Sequence, residues 1–470
     1  MVTAPTSAAP PMSTPRRGPV GRGRPGEFPP GPRGLPFIGV AVGFSADPLE
    51  RMTEWSRAYG DIVHWRVPRA HLYLVAHPDD IATVLVGDHA QYMKDDLTHE
   101  LSRFVGRGLL TSEGSFWRRQ RRIAAPSFQP RHIAGFADTM VARTREAVAQ
   151  WPASSSRDVH ADMMRLTLDI VLDTLFGSAQ VPNQAEVGEI VGLLMAGFQS
   201  NYLTWRRMLP SWVSRESFAT LDRARARLDE ILYGIIRTRR AEHRDRDDVL
   251  GRLLAAQDDD GSRMTDLQLR DEVATLFLAG HETTALALSF ALDLLARHPE
   301  AAATLHAEVD RVLGGRAARL DDVPALVYAD AVMRESMRLY PPAYAIGREA
   351  LAEREIAGWV IPRGAQVLVP QWVVHRDARW FEDPAAFRPE RWLGNLAERL
   401  PRFAYFPFGG GMRVCVGNHF AMLEAVLALA TIAQEVRVRP DGDRRVQLSP
   451  SVTLRPRDGV HLIVERLTAR

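Results

Sequence analysis

The chain holds one cysteine, Cys415, and one lysine, Lys94, in 470 residues. A single thiol excludes an intramolecular disulfide framework and an all-thiolate zinc site. Lysine is so scarce that arginine supplies nearly every cation, a bias that no one chemistry requires throughout a chain. No run of about 18 apolar residues occurs, so nothing in the sequence is built to span a bilayer. Basic and acidic side chains, 59 against 57, leave a net charge of +2, which removes the electrostatic reason to expect a nucleic-acid partner. At this length roughly three quarters of the unfolded surface can be buried, so disulfides and structural metals are not needed for a core. These absences point to a cytoplasmic globular protein.

Residues 1–36 are rich in Pro, Gly, Ala and Arg and lack both apolar periodicity and the apolar core of a secretory signal. Such a segment cannot bury enough surface to offset its ordering entropy, so it reads as a disordered tail. Residues 37–470 show no internal repeat and no second linker, and read as one domain. Alternation over 61–67 and 71–76 predicts an antiparallel pair of strands. From about Pro78 to Tyr340 the pattern is helical. Short strands follow over 354–360 and 366–369, around the turn Ile361-Pro-Arg-Gly364. A last helix begins near Gly417, and strands return over 446–467. The fold class is mainly α with small β-sheets (α+β).

One helix stands apart. Thr265-Asp-Leu-Gln268 fits a capping box, and the helical pattern runs from there to Arg297, where His298-Pro299 stops it. About 32 residues at ~1.5 Å each give close to 48 Å. Its middle is apolar on most faces, which places it inside the protein. Glu282, Thr283 and Thr284 sit in that apolar middle, and buried polar groups there call for a reason.

Cys415 lies in Phe408-Gly-Gly-Gly-Met-Arg-Val-Cys-Val-Gly417, just before the apolar helix that starts near His419. The three glycines allow close backbone approach, and a helix N-terminus favours thiolate over thiol. Alone, that cysteine reads equally as a small buried hydrophobe. The form F-x-x-G-x-R-x-C-x-G, however, resembles the haem-binding signature of the cytochrome P-450 superfamily. Four more segments resemble the family's motifs in the family's order: Trp117-Arg-Arg-Gln-Arg121, Ala279-Gly-His-Glu-Thr-Thr284, Glu335-Ser-Met-Arg338 and Phe387-Arg-Pro-Glu-Arg391.

The resemblance implies the P-450 fold, with the long central helix crossing a haem b, and it assigns roles residue by residue. Cys415 would be the axial ligand of the iron, shielded by Phe408 and hydrogen-bonded by the loop up to Gly417. On the other side of the haem, Ala279 and Gly280 would leave room for the iron, and Glu282 with Thr283 would form an acid–alcohol pair that delivers protons. A mid-helix threonine can also bond back to the carbonyl at i−4 and open the helix locally. Trp117, Arg121, Arg348 and Arg413 would hold the haem propionates, arginine being suited to paired carboxylate oxygens. Glu335, Arg338 and Arg391 would make a structural charged cluster beneath the cysteine loop. Arg118, Arg119 and Arg122 point away from the Trp117/Arg121 face and would dock an acidic electron donor.

By the same likeness, the loop 91–110, the helix pair 193–209 and Pro341–Ile346 line the distal cavity. Leu110, Phe198, Tyr202, Trp205, Tyr344 and Ile346 make it apolar and aromatic, which suits a lipophilic substrate. The expected activity is hydroxylation or epoxidation of a terpenoid, with fatty acids or polyketides as further classes. Electrons would come from NAD(P)H through a separate ferredoxin and ferredoxin reductase, to a monomeric enzyme. Two alternatives stay open at this point: a peroxide-driven peroxygenase or isomerase, and a haem-based sensor without turnover. The Glu282–Thr283 pair argues against both, since neither needs a proton relay.

Overall fold

The structure, a computed structural model, describes residues 27–35, 39–68, 70–177, 184–202, 215–242, 248–258 and 261–467. Its centre is helix α3 (Asp266–Arg297), closed at its start by the Thr265–Gln268 capping box. Between Leu269 and Ala296 only Ala279, Gly280 and Thr283 are not buried. It is the one helix among the described residues long and apolar enough to cross a membrane, and 78% of that stretch lies inside the protein. Its apolar surface is therefore taken up by the core.

Helix α2 (Val159–Phe176) packs along α3, and Gly280 sits at their contact, where a Cβ would meet Val171 Cγ2 at 3.2 Å. Its missing side chain eases the approach of the two helices, and Gly280 also keeps accessible surface. Helix α4 (Val327–Leu339) and the cysteine-proximal helix α5 (Asn418–Glu435) pack on α3 and on each other.

Strands β1 (Ile62–Val67), β2 (Ala70–Val75), β3 (Tyr92–Lys94), β4 (Ile346–Ala350) and β5 (Gln366–Val369) form a sheet in the order β1-β2-β5-β4-β3. The hairpin β1–β2 is antiparallel as predicted, and β2–β5 is the parallel pair. Pairing of β3 with β4 sets Lys94 opposite Arg348. Strand β3 was not predicted, because three residues are too few to show alternation. Strands β6 (Leu448–Pro450) and β7 (Leu454–Pro456) pair near the C-terminus, and Leu454 packs with Leu286 and Phe290 of α3.

The tail boundary also moves. Residues 1–26 and 36–38 lie outside the described residues. Residues 27–35 lie against the body, with Phe28 stacked on His64 and His71 at 4.3 and 5.1 Å between ring centroids. The Pro-rich composition hid a single aromatic anchor.

Candidate active site around Cys415

The cysteine loop folds as its glycines dictate. Gly409 and Gly411 adopt φ of +72° and +68°, which side chains with a Cβ rarely take, and at Gly411 a Cβ would also collide with the Leu85 carbonyl. The resulting turn returns the Cys415 amide to the Phe408 carbonyl at 3.0 Å. The Cys415 side chain has accessible surface although it lies deep in the fold, so it faces an internal space. Burial pushes its thiol up, while the Gly417 amide and the Arg121 charge pull toward the thiolate. A bond from the sulfur to a haem iron would complete the shift to thiolate.

Beside the loop stands a cluster of cations. Arg413 lies over the Trp117 ring at 4.7 Å, and Lys94 Nζ is 5.9 Å from the same ring. Glu113 bonds Arg413 through one oxygen and the Lys94 amide, at 2.8 Å, through the other. Arg348 is buried and, among the described residues, donates only to the Gly347 carbonyl, at 2.8 Å. Burial, together with the repulsion of Arg413, lowers Arg348 to about 10 and Lys94 to about 7. Arg413 Nη1 is buried with no partner among the described residues. Three cations that oppose each other, one with an orphaned donor, fit the paired carboxylates of a haem.

Sequence reasoning placed Trp117, Arg348 and Arg413 here but missed Lys94. Its solitary status in the chain was the available signal. Arg121, expected in this set, is half-buried and feels the charge of Cys415.

On α3, Thr283 donates to the Ala279 carbonyl at 2.8 Å and Thr284 to that of Gly280 at 3.2 Å, the i−4 bonding expected of mid-helix threonines. Glu282 and Thr283 share no hydrogen bond. Glu282 is buried on the far side, where it accepts from Thr453 and from Arg455 Nε at 2.6 Å. Burial works to raise its carboxyl, but the bond and charge of Arg455 outweigh that and hold it below the usual range. The acid and alcohol are consequently not a contacting pair here: successive helix residues point about 100° apart, and Arg455 of β7 claims the acid. No sequence pattern marked Arg455 or Thr453. Glu424 of α5 stands beside Thr284, and burial pushes its carboxyl well above the usual range.

The charged cluster is fully internal. Arg338 and Glu335, each 0% exposed, make two parallel bonds of 2.8 Å. Arg391 Nε, the Arg388 amide and Trp392 Nε1 also donate to Glu335, at 2.9, 2.9 and 2.8 Å. Arg338 further holds the carbonyls of His375, Pro384 and Ala386. The His375 ring accepts from the Phe406 amide at 3.0 Å, and Phe406 in turn accepts from Gly409. A continuous set of bonds thus runs from α4 to the cysteine loop.

The sequence model of the family described as Cytochrome P450 matches residues 29–463. The chain belongs to the cytochrome P450 family. It is 37% identical over 426 residues to cyclooctatin synthase of Streptomyces melanosporofaciens, covering 90% of this chain and 92% of the relative. Cyclooctat-9-en-7-ol 5-monooxygenase of the same organism is 34% identical, with 87% and 89% covered. Pentalenene oxygenase of Streptomyces avermitilis is 32% identical, with 88% and 92% covered. A cyanobacterial P450 solved with retinoic acid bound superposes with a TM-score of 0.84 at 26% identity, over 94% of this chain and 99% of that one. This P450 is a monooxygenase, its family implies a haem iron, and bacterial P450s generally need redox partners and lipophilic substrates.

The remaining predicted residues of the P450 divide. Leu110 is partly accessible and packs at the edge of the main core. Phe198 is wholly buried, edge-on to Phe104 at 5.9 Å, and is a core residue rather than pocket wall. Tyr344 donates to the Ser451 carbonyl at 2.9 Å and packs with the β1–β2 hairpin cluster. Ile346 reaches Gly409 of the cysteine loop. The Tyr202 side chain and Trp205 lie outside the described residues. Of the docking arginines, Arg119 and Arg122 pair with Asp258 at 3.0 and 2.8 Å, an internal use the sequence did not reveal. Arg118 is exposed, and so is Met412 of the cysteine loop, at 49%.

Proposed function

We propose that this P450 binds haem b through Cys415 and hydroxylates or epoxidises a lipophilic terpenoid, as a cytoplasmic monomer supplied with electrons by a ferredoxin and its reductase. The observation that carries the reading is the accessible patch on α3: the only accessible residues in its buried length are Ala279, Gly280 and Thr283. Two small residues and a hydroxyl on an otherwise buried helix, in a fold whose one cysteine faces an internal space, suit dioxygen chemistry. The terpenoid class is supported by the named relatives, which modify terpenoids.

When bound, the haem supplies activation of dioxygen, so that one atom enters the substrate and the other leaves as water. Cys415 would anchor it, and Lys94, Arg348 and Arg413 would neutralise its carboxylates beside Trp117. Thr283 moves a proton at Oγ1 by exchanging its bond to the Ala279 carbonyl for one with the reacting centre. Glu282 refills it only after leaving Arg455, whose guanidinium is partly exposed and links the buried acid to solvent. Thr283→Ala should keep a normal haem spectrum while the peroxide released per NADPH consumed rises several-fold. Unchanged coupling would remove Thr283 from the relay.

Arg118 and the surface around Met412 would receive the ferredoxin. Turnover at limiting ferredoxin should fall several-fold between low and physiological salt, and Arg118→Gln should flatten that dependence. A salt-independent rate in the wild type would exclude electrostatic docking.

The deciding experiment incubates the purified holoenzyme with pentalenene or cyclooctat-9-en-7-ol, NADPH, ferredoxin and reductase. A product heavier by one oxygen, dependent on every component, is expected. Product formed equally well from peroxide alone would indicate a peroxygenase. Failure of a wider terpenoid panel to shift the haem spin state would indicate another substrate class.

A further inference from the structure

The loop 106–112 leaves the short helix Ser102–Val105 and returns to helix α1 (Gly114–Ala124), carrying Leu109 and Leu110 toward the expected substrate cavity. Its main chain is gripped by ionisable side chains. The Leu109 amide donates to Glu272 Oε2 at 3.0 Å, and the Leu109 carbonyl accepts from Lys94 Nζ at 2.9 Å. Lys94 Nζ also donates to the Ser112 carbonyl at 2.7 Å, and the Arg107 amide donates to Asp271 Oδ2 at 2.7 Å. At Gly108 a Cβ would collide with Thr275 of α3, so loop and helix are in direct contact.

Burying ionisable groups to hold a loop is costly, because each loses its hydration. Glu272 is 0% exposed, and its Oε1 has no partner among the described residues. Burial raises its carboxyl to about 7 and lowers Lys94 to about 7. Asp271 and Arg270 face the pair from α3, Glu113 from the start of α1, Arg348 from β4 and Arg413 from the cysteine loop. The chain uses arginine everywhere else. At position 94 a compact ammonium meets two carbonyls from a single nitrogen, a geometry that the larger, planar guanidinium does not reproduce.

We propose that Lys94 and Glu272 are positioning residues for the oxygenation, fixing Leu109 and Leu110 against α3 and so setting the fit of an apolar substrate. The pocket side of this inference rests on the function proposed above. The grip itself does not.

The test is hydrogen exchange of the peptide covering 106–112 in the haem-loaded P450, with the reduced carbon monoxide spectrum as control. Losing a hydrogen bond to a charged acceptor should speed exchange about tenfold or more in Glu272→Ala, whereas Glu272→Gln keeps an acceptor and should stay within about threefold of wild type. Lys94→Met should loosen the same peptide, and Lys94→Arg should not rescue it. Two iron-binding probes read the pocket: imidazole, and a bulky triaryl-substituted imidazole. Glu272→Ala should weaken the bulky probe about tenfold and plain imidazole less than about twofold, with Gln restoring both.

Unchanged exchange in Glu272→Ala would overturn the proposal. So would equal weakening of both probes, or loss of haem in both Glu272→Ala and Lys94→Met, since either outcome describes general structural damage. Neither readout needs turnover, so failure to oxidise any terpenoid would defeat the functional reading while leaving this one standing.

Discussion

Cys415→Ser is expected to abolish the strongly red-shifted Soret band of the reduced, carbon monoxide-treated protein and to reduce product formation to background. Serine fills nearly the same volume in a loop whose shape is set by Gly409, Gly411 and the Cys415–Phe408 backbone bond, none of which involves the sulfur. Folding stability should therefore change by no more than about 1 kcal/mol. What disappears is the thiolate, the form favoured by the Gly417 amide and the Arg121 charge, for which an alcohol is no substitute. Thermal unfolding measured beside the spectrum separates loss of the ligand from loss of the fold. A red-shifted band surviving in the serine variant would mean that the iron is held elsewhere, and the assignment of Cys415 would fall.

Arg338→Leu should fail differently, at the level of folding. Glu335 would remain fully buried with Arg391 as its remaining cation, the carbonyls of His375 and Pro384 would lose the Arg338 donor, and that of Ala386 would keep only Arg391 Nη2 at 3.5 Å. Breaking one side of such a pair costs about 3–5 kcal/mol. That cost falls on the segment that steers His375 and Phe406 into the cysteine loop, so haem content should drop to a small fraction of wild type. The ratio of Soret to protein absorbance and the midpoint of thermal unfolding give the two numbers. The double variant Glu335→Leu/Arg338→Leu should recover part of the stability, because the fully buried carboxylate goes with its cation and only Arg391, which keeps its bond to the Glu382 carbonyl, loses its charged partner. Wild-type haem content in Arg338→Leu would show that the cluster does not support the loop.

The same cluster sets an acid limit. Burial works to raise Glu335, but the Arg338 bonds and charge, aided by Arg391, hold it below the usual carboxylate range. A carboxylate whose folded value lies below its unfolded one stabilises fully above the unfolded value, and that share is lost as pH falls through the folded one. Haem retention should weaken on acidification in the wild type.

Much of this protein is legible in order along the chain. The capping box Thr265–Gln268, the apolar run behind it and His298-Pro299 determine α3 to the residue, because capping and periodicity act over a few neighbouring positions. The glycines before Cys415 determine the turn that presents it, and the i,i+3 spacing of Glu335 and Arg338 already puts them on one face. The tertiary structure alone decided what each polar group meets. Glu282 reads as a partner of Thr283, yet Arg455, some 170 residues later by the hydrogen bond's own separation, takes it. Phe198 reads as pocket wall and is packed wholly in the core, since an aromatic side chain serves a core as well as a cavity. Lys94 was visible only as a solitary lysine until the pairing of β3 with β4, and the descent of loop 106–112 onto α3, surrounded it with carbonyls. Local bonding rules fix elements, whereas the pairing of buried charges depends on long-range packing that no sequence window contains.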